Sequence, residues 1–317
     1  MKISVCMTTY NHERFIERAI EGVLMQRSQL PVELVIGDDD STDDTGRICE
    51  MYANRFPDRI RYLRRNPNLG MMPNFIETLA ACDGTYIAIC EGDDYWVDED
   101  KLQIQTDVLD SNADVSICCH DHYILRDEQV RNAENKVGEN IKILTTADYL
   151  KDPFFHTSSY FFRNDAQPKD YPHWFRDVLA GDHFLVLFLS LKGKIAYINR
   201  PMSVFRHHGA SVSFTKDPLV IKENFTKHLG LFNGYTDSLY QPAIEHTVRK
   251  WDLIYKVYED TSYVSKLSHL MRNLGFYAAN FSKVGGLKLL AKYLITANYF
   301  DQVKKSRVLL KERHLKS

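Results

Sequence analysis

Carboxylates crowd two short stretches of this chain, and their spacing limits the chemistry open to it. Glu91-Gly92-Asp93-Asp94 sets three acids within four residues. Like charges that close repel, so the cluster calls for a cation, and oxygen ligands favour hard ions such as Mg²⁺ or Mn²⁺. Magnesium-type sites often use few carboxylates and let substrate phosphates complete the shell. The alternative is a solvated turn leading to a helix cap at Asp98. In Asp38-Asp39-Asp40, one residue is enough to cap a following helix, and Asp40 or Ser41 serves for that. Asp39 then remains to accept a hydrogen bond from a nucleobase N–H. Neither GxxxxGK[ST] nor GxGxxG occurs, which argues against P-loop kinases and Rossmann dehydrogenases. A diphosphate would have to be held by metal and side chains, and the acidic cluster fits that need.

The elements that must present these groups read as alternating short apolar runs and helical patterns. Strands are expected at Ile3–Met7, Val32–Ile36, Ile60–Leu63 and Tyr86–Cys90, with helices at Phe15–Met25, from a capping box at Ser41-Thr42-Asp43-Asp44 through Tyr52, and at Met71–Ala81. That alternation implies βαβ units, a mostly parallel sheet and right-handed crossovers. In open α/β sheets ligands bind beyond the carboxyl ends of the strands. Thr8-Thr9-Tyr10-Asn11, Asp38-Asp39-Asp40 and Glu91–Asp94 each follow such an end, so they converge on one rim. Further on, a helix over Glu99–Leu109, strands at Val115–Cys119, Ser159–Phe162, Ile195–Ile198 and Met202–Phe205, and a helix over His183–Leu191 are expected. Residues 120–160 carry no readable period. From Lys216 onward the pattern is helical, with Leu287, Leu290, Tyr293 and Leu294 on one face.

Four segments in order carry a specific resemblance: Met7-Thr8-Thr9-Tyr10-Asn11-His12, Ile36-Gly37-Asp38-Asp39-Asp40-Ser41-Thr42-Asp43-Asp44-Thr45, Asn68-Leu69-Gly70, and Cys90-Glu91-Gly92-Asp93-Asp94-Tyr95-Trp96. Their sequence and spacing resemble family 2 glycosyltransferases of the GT-A fold, in a bacterial subgroup carrying EGDDYW. The resemblance is strongest over residues 1–105 and continues more loosely to about residue 213. It implies a GT-A type, Rossmann-like α/β domain over 1–215, with a nucleotide-sugar half (1–110) and an acceptor half (111–215), then a helical extension over 216–317.

The same resemblance implies roles for individual residues. Thr9 and Tyr10 line the nucleotide base, beside Asn11, and Asp39 bonds it. Asn68 and Gly70 approach the nucleotide. Asp93 is the metal-binding member of a DxD-like motif, with Glu91 at its first position beside ribose or metal and Asp94 near the donor sugar. Trp96 and Tyr95 offer a platform for a sugar ring or simply pack. Gly181-Asp182-His183 matches the position of the catalytic base, so Asp182 takes a proton from the acceptor hydroxyl; its other reading is a helix cap. Arg206-His207-His208-Gly209, with Ser211 and Ser213, resembles a YRxHxxS-type segment, in which His208 binds metal or diphosphate and Arg206 faces the phosphates. Met7-Thr8 stands for a commoner Met-Pro, Asp40 for a usual Gly, and Glu91 for a usual Asp.

The implied activity is inverting transfer of a sugar from a nucleotide-diphosphate donor, a UDP-sugar foremost, to a hydroxyl on a glycan or lipid-linked glycan of a bacterial surface polysaccharide, with Mn²⁺ or Mg²⁺ as cofactor. A sugar nucleotidyltransferase would carry a Gly-rich basic stretch where Thr8–Asn11 stands. A non-catalytic sugar-nucleotide sensor would not need both Asp93 and Asp182.

Composition agrees with a globular protein that buries a sizeable core: 317 residues, 44% hydrophobic and 26% charged. A net charge of −2 argues against nucleic-acid binding. The average conceals a split: residues 283–317 hold nine Lys/Arg against two Asp/Glu, a net of +7, leaving −9 elsewhere. Lys304, Lys305, Arg307, Lys311 and Arg313 are thus candidates for peripheral contact with an anionic membrane face, the alternatives being a solvated face or an oligomer contact. Six cysteines without a CxxC pair, no signal-peptide pattern and no apolar run of ~18–20 residues read as a reduced, cytoplasmic chain.

Overall fold

A computed structural model describes residues 1–132, 140–208 and 217–259. The chain divides into two compact units, 1–244 and 245–317. The first unit is built on one ten-stranded sheet. Its first half runs β1 (Ile3–Thr9), α1 (Ile16–Leu24), β2 (Val32–Asp38), α2 (Thr45–Arg55), β3 (Ile60–Arg64), α3 (Met71–Ala80) and β4 (Tyr86–Ile89). After the acidic cluster come β5 (Tyr95–Trp96), α4 (Lys101–Ser111), β6 (Val115–Arg126), β7 (Gln129–Asn132), β8 (Ile141–Leu144), α5 (Thr146–Lys151) and β9 (Phe161–Arg163). Then follow α6 (Gly181–Ser190), β10 (Lys194–Arg206), α7 (Pro218–Tyr235) and α8 (Gln241–Glu259). The unit's limit at residue 244 leaves α7 inside it, so helical sequence after 216 does not all lie apart from the sheet domain.

The strand order is β3-β2-β1-β4-β9-β6-β10-β5, with β7 on β6 and β8 on β10. Pairings among β3, β2, β1 and β4 are all parallel, as the βαβ reading requires. Strand β1 is buried along almost its whole length because helices cover both faces, which is why it reads as a continuous apolar run. The second half is mixed: β9 is antiparallel to β4 and β6, whereas β6 and β10 are parallel. The order returns from β4 past β9 to β6, and the polar residues of the chain gather at this turn-over of the topology.

Three differences from the sequence reading have physical causes. The two strands expected at 195–198 and 202–205 are one strand, β10, whose register shifts around Arg200 and Pro201. Proline has no N–H to give a ladder, so the strand bulges there instead of ending. The capping box expected at Ser41 is absent: Ser41 donates its hydroxyl to Asp38 at 2.5 Å, and α2 opens at Thr45. A capping box does occur at Thr145, whose hydroxyl accepts from the Asp148 N–H while Asp148 accepts from the Thr145 N–H.

Among the described residues, no helix is long and apolar enough to cross a membrane. All six cysteines are buried free thiols. Gly209, Ser211 and Ser213, the face at Leu287–Leu294 and the basic residues from Lys304 to Arg313 lie outside the described residues.

Candidate active site

Three strand ends are stitched into one floor by backbone hydrogen bonds. The Asp39 N–H donates to Thr9 O at 3.0 Å, and the Gly92 N–H to Thr8 O at 2.9 Å. The second bond explains the glycine inside the acidic motif: a β-carbon at 92 would fall 2.9 Å from the Thr9 β-carbon. Thr9 is buried with its hydroxyl unpaired, whereas Tyr10 is 46% exposed. Asn11 takes a left-handed φ of 56° and turns its side chain to the next loop, accepting from the Thr42 N–H at 2.8 Å.

Asp38 and Asp39 hold the second strand end rigid. Asp38 accepts from the Ser41 N–H at 3.0 Å and from the Tyr62 hydroxyl at 2.7 Å. Asp39 accepts from the Leu69 N–H at 2.7 Å and the Gly70 N–H at 2.9 Å, while Asn68 donates its amide to Asp39 O at 2.6 Å. The segment expected to approach a nucleotide is therefore fastened to the residue expected to bond its base. Asp40 sits at φ 64°, a left-handed conformation that accounts for the glycine usual there in the resembled family.

Glu91, Asp93 and Asp94 each offer a carboxylate oxygen, and these oxygens lie within 4.8 Å of one another. Burial, with the charges of Asp93 and Asp182 added, pushes the Glu91 carboxyl up to about 8. Asp94 is 1% exposed; burial and the charges of Asp93 and Glu91 hold it well above the usual carboxylate range. Burial also acts to raise Asp93, but the His208 hydrogen bond and the charges of His12 and His208 outweigh it and bring that carboxyl below its usual value. The His208 Nε2 is 3.0 Å and the His12 Nε2 3.9 Å from Asp93 Oδ2. Two carboxyls forced toward neutrality beside a third that stays ionised form a site whose repulsion a hard cation would relieve. Three oxygens and an imidazole also suit Mg²⁺ or Mn²⁺ as donors.

Two expected donor contacts need correction. Trp96 is 2% exposed, donates its indole N–H to Ser158 O at 2.9 Å, and has the Lys101 Nζ 3.9 Å from its ring centre. It supports the acidic loop from inside and has no face for a sugar. Arg206 is buried too: its guanidinium donates to Asp93 O at 2.8 Å and lies over the Tyr95 and Phe15 rings. It grips the backbone of the cluster instead of facing phosphates. Its own N–H donates to Asp94 Oδ1 at 2.9 Å.

Asp182 lies in the first turn of α6, and Ala180, which makes no side-chain cap, precedes the helix. The cap reading of Asp182 is thereby removed. Its Oδ2 accepts from the Thr157 hydroxyl at 3.0 Å. Gly181 permits α6 to approach α3, since a β-carbon there would meet the Met72 sulfur at 2.2 Å. The charge of Asp182 contributes to the raised Glu91 carboxyl.

Sequence reasoning missed three residues at this site. His12 stands at the end of the first motif and needed only the strand-end geometry to be noticed. His156, 3.4 Å from Asp94 Oδ2, and Thr157 come from the stretch without a readable period.

The glycosyl transferase family 2 profile matches residues 4–167, which takes in the first three strand ends and stops before Asp182 and His208. An uncharacterized protein of Mycobacterium tuberculosis is 33% identical over 210 residues, covering 66% of this chain and 60% of that protein. The chain thus spans about 60% of the length of such curated relatives. Among solved structures, Staphylococcus aureus TarS 1-349 in complex with UDP-GlcNAc superposes with a TM-score of 0.58 at 18% identity, over 72% of this chain and 66% of that one. The mannosyltransferase PcManGT from Pyrobaculum calidifontis, in complex with GDP-Man and Mn²⁺, gives 0.56 at 16% identity, over 94% of this chain and 86% of that one. Both likenesses show the same fold. With its family profile matched across half of its length, this chain belongs to glycosyl transferase family 2.

Proposed function

We propose that this chain transfers a sugar from a nucleotide-diphosphate donor, a UDP-sugar foremost, to a hydroxyl of a glycan or lipid-linked glycan, with inversion at the anomeric carbon. The observation that carries this reading is that two consecutive residues, His156 and Thr157, reach Asp94 of the acidic cluster and Asp182 respectively. Thr9, Tyr10 and the loop fastened to Asp39 form the base-proximal wall. Asp93 and His208, with Glu91 beside them, would hold a divalent ion. Such an ion supplies Lewis-acid neutralisation of the leaving diphosphate.

The remaining chemistry falls to the chain. Asp182 accepts the proton of the acceptor hydroxyl as that oxygen bonds to the anomeric carbon. The bond from that carbon to the diphosphate oxygen breaks on the opposite face. One displacement inverts the centre, and no covalent glycosyl-enzyme forms. Charges fixed by folding around the leaving group need no reorganisation during reaction, which is where much of the rate originates.

The test is a panel of UDP-, GDP- and dTDP-sugars with Mn²⁺ or Mg²⁺, followed by nucleotide release and by thermal shift. The expected result is one donor that is turned over with metal, is silent in EDTA and is silent with Asp93→Ala. Asp182→Asn should lose turnover and keep donor binding. A panel in which no nucleotide sugar shifts the melting temperature would overturn the reading.

A further inference from the structure

The Asp94 and Asp182 carboxylates come from the loop after β4 and from helix α6, yet consecutive residues touch them. His156 Nδ1 lies 3.4 Å from Asp94 Oδ2, a buried oxygen with no hydrogen-bond partner of its own. The next residue, Thr157, donates its hydroxyl to Asp182 Oδ2 at 3.0 Å. Thr157 opens a single turn of 3-10 helix, Thr157–Ser159, that has little freedom to move. Ser158 shares a hydrogen bond with the Ser203 hydroxyl of β10 at 2.9 Å and accepts the Trp96 N–H on its carbonyl. The Ser159 carbonyl accepts from the Gln105 amide at 2.8 Å, and its hydroxyl donates to His156 O at 2.6 Å. The His156 ring packs on Phe205 with centroids 4.2 Å apart. The turn is thus tied to β5, α4 and β10 while its two leading side chains reach the two acids.

We infer that the His156-Thr157 pair is the positioning element of the reaction, setting the candidate base Asp182 at a fixed distance and angle from the acidic cluster. The inference rests on the proposed transferase reading and adds to it the residues that hold its two halves in register. A carboxylate at a helix start has rotamer freedom unless something fixes it, and an error near 1 Å in a reacting group costs about 100-fold in rate. The Thr157 hydroxyl removes that freedom at Asp182. The His156 Nδ1 caps the turn by accepting from the Ser158 N–H and packs 3.4 Å from the Asp94 carboxyl, whose other oxygen is held by the Arg206 N–H.

The test uses the full-length chain, the donor found in the panel above, and UDP with Mn²⁺ as the binding probe. Thr157→Val keeps the shape and deletes the hydroxyl. It should lower kcat about 10- to 100-fold, leave the Kd for UDP within about twofold, and leave the melting temperature nearly unchanged. Thr157→Ser should recover kcat to within about threefold, because the donor oxygen returns. In an Asp182→Asn background Thr157→Val should have no further effect, since residues acting as a unit are not additive. At Asp94, His156→Ala should raise the Mn²⁺ concentration for half-maximal rate by about tenfold, and His156→Asn, which keeps a nitrogen at that place, should recover most of it. A Thr157→Val enzyme with the parent kcat, or effects that simply add, would overturn the inference while an inactive Asp182→Asn left the base assignment standing. An Asp182→Asn enzyme of full activity would remove the base assignment itself.

Discussion

His208 Nε2 stands 3.0 Å from Asp93 Oδ2, although 115 positions of sequence separate the two residues. The Phe15 ring, 4.6 Å from the imidazole, fixes its plane from the other side. His208→Ala should therefore loosen the cluster without unfolding it. The Mn²⁺ concentration for half-maximal activity is expected to rise about 10- to 100-fold, the range found when an orienting partner of a metal ligand is lost. A metal titration of donor turnover checks this, and an unchanged midpoint would remove His208 from the cation site.

Asp39 bonds two consecutive backbone N–H groups of the Asn68–Gly70 loop. Asp39→Ala should free that loop and thereby weaken nucleotide binding more than turnover. We expect Kd for the nucleoside diphosphate to rise about tenfold, a change worth about 1.4 kcal/mol, with kcat falling by less. Calorimetry with UDP and GDP separates the two effects.

Trp96 is a core residue, so its replacement should act on stability. Trp96→Phe deletes the hydrogen bond to Ser158 O and part of the ring volume, at a cost of about 1–3 kcal/mol. Denaturant melts should report that loss while KM for the donor stays near its parent value. A large KM effect with unchanged stability would restore Trp96 to the donor site.

Lys101 is fully buried, hydrogen-bonded to Gln105 Oε1 at 2.7 Å, and burial lowers its amine to about 7. In the unfolded chain the same amine keeps its proton up to about 10.5. Between those values the unfolded state binds more protons, so this residue makes stability rise as pH goes from 7 toward 10.5, and its penalty is complete below 7. Lys101→Met abolishes that titration. The melting temperature of the parent relative to the variant should increase between pH 7.5 and 9.5, and a constant difference over that range would refute the assignment.

The first half of the fold was legible because its strands are covered on both faces and read as plain apolar runs, and because their polar residues all follow the same ends. The stretch from 120 to 160 was not. Strand β6 buries His120, Asp121 and His122 in succession, which breaks the apolar run that marks a strand. Its hairpin to β7 turns at Asp127 and Glu128 with φ of 48° and 63°, without the glycine or asparagine that signals such a turn. His156 and Thr157 were hidden with it. Trp96 and Arg206 carried the right chemistry for ligand contact, but the direction of a side chain is decided by packing. The Gly22 helix face pressed against the Trp96 backbone and the Lys101 amine beneath its ring settle that direction.

Strand β10 pairs with β5, the short strand directly after the acidic cluster, and ends at Arg206, whose guanidinium holds the Asp93 carbonyl. The acids are therefore made early in translation and are completed only by residues made more than a hundred positions later. The acidic cluster and the residues that brace it thus become one unit only when the last strand joins β5.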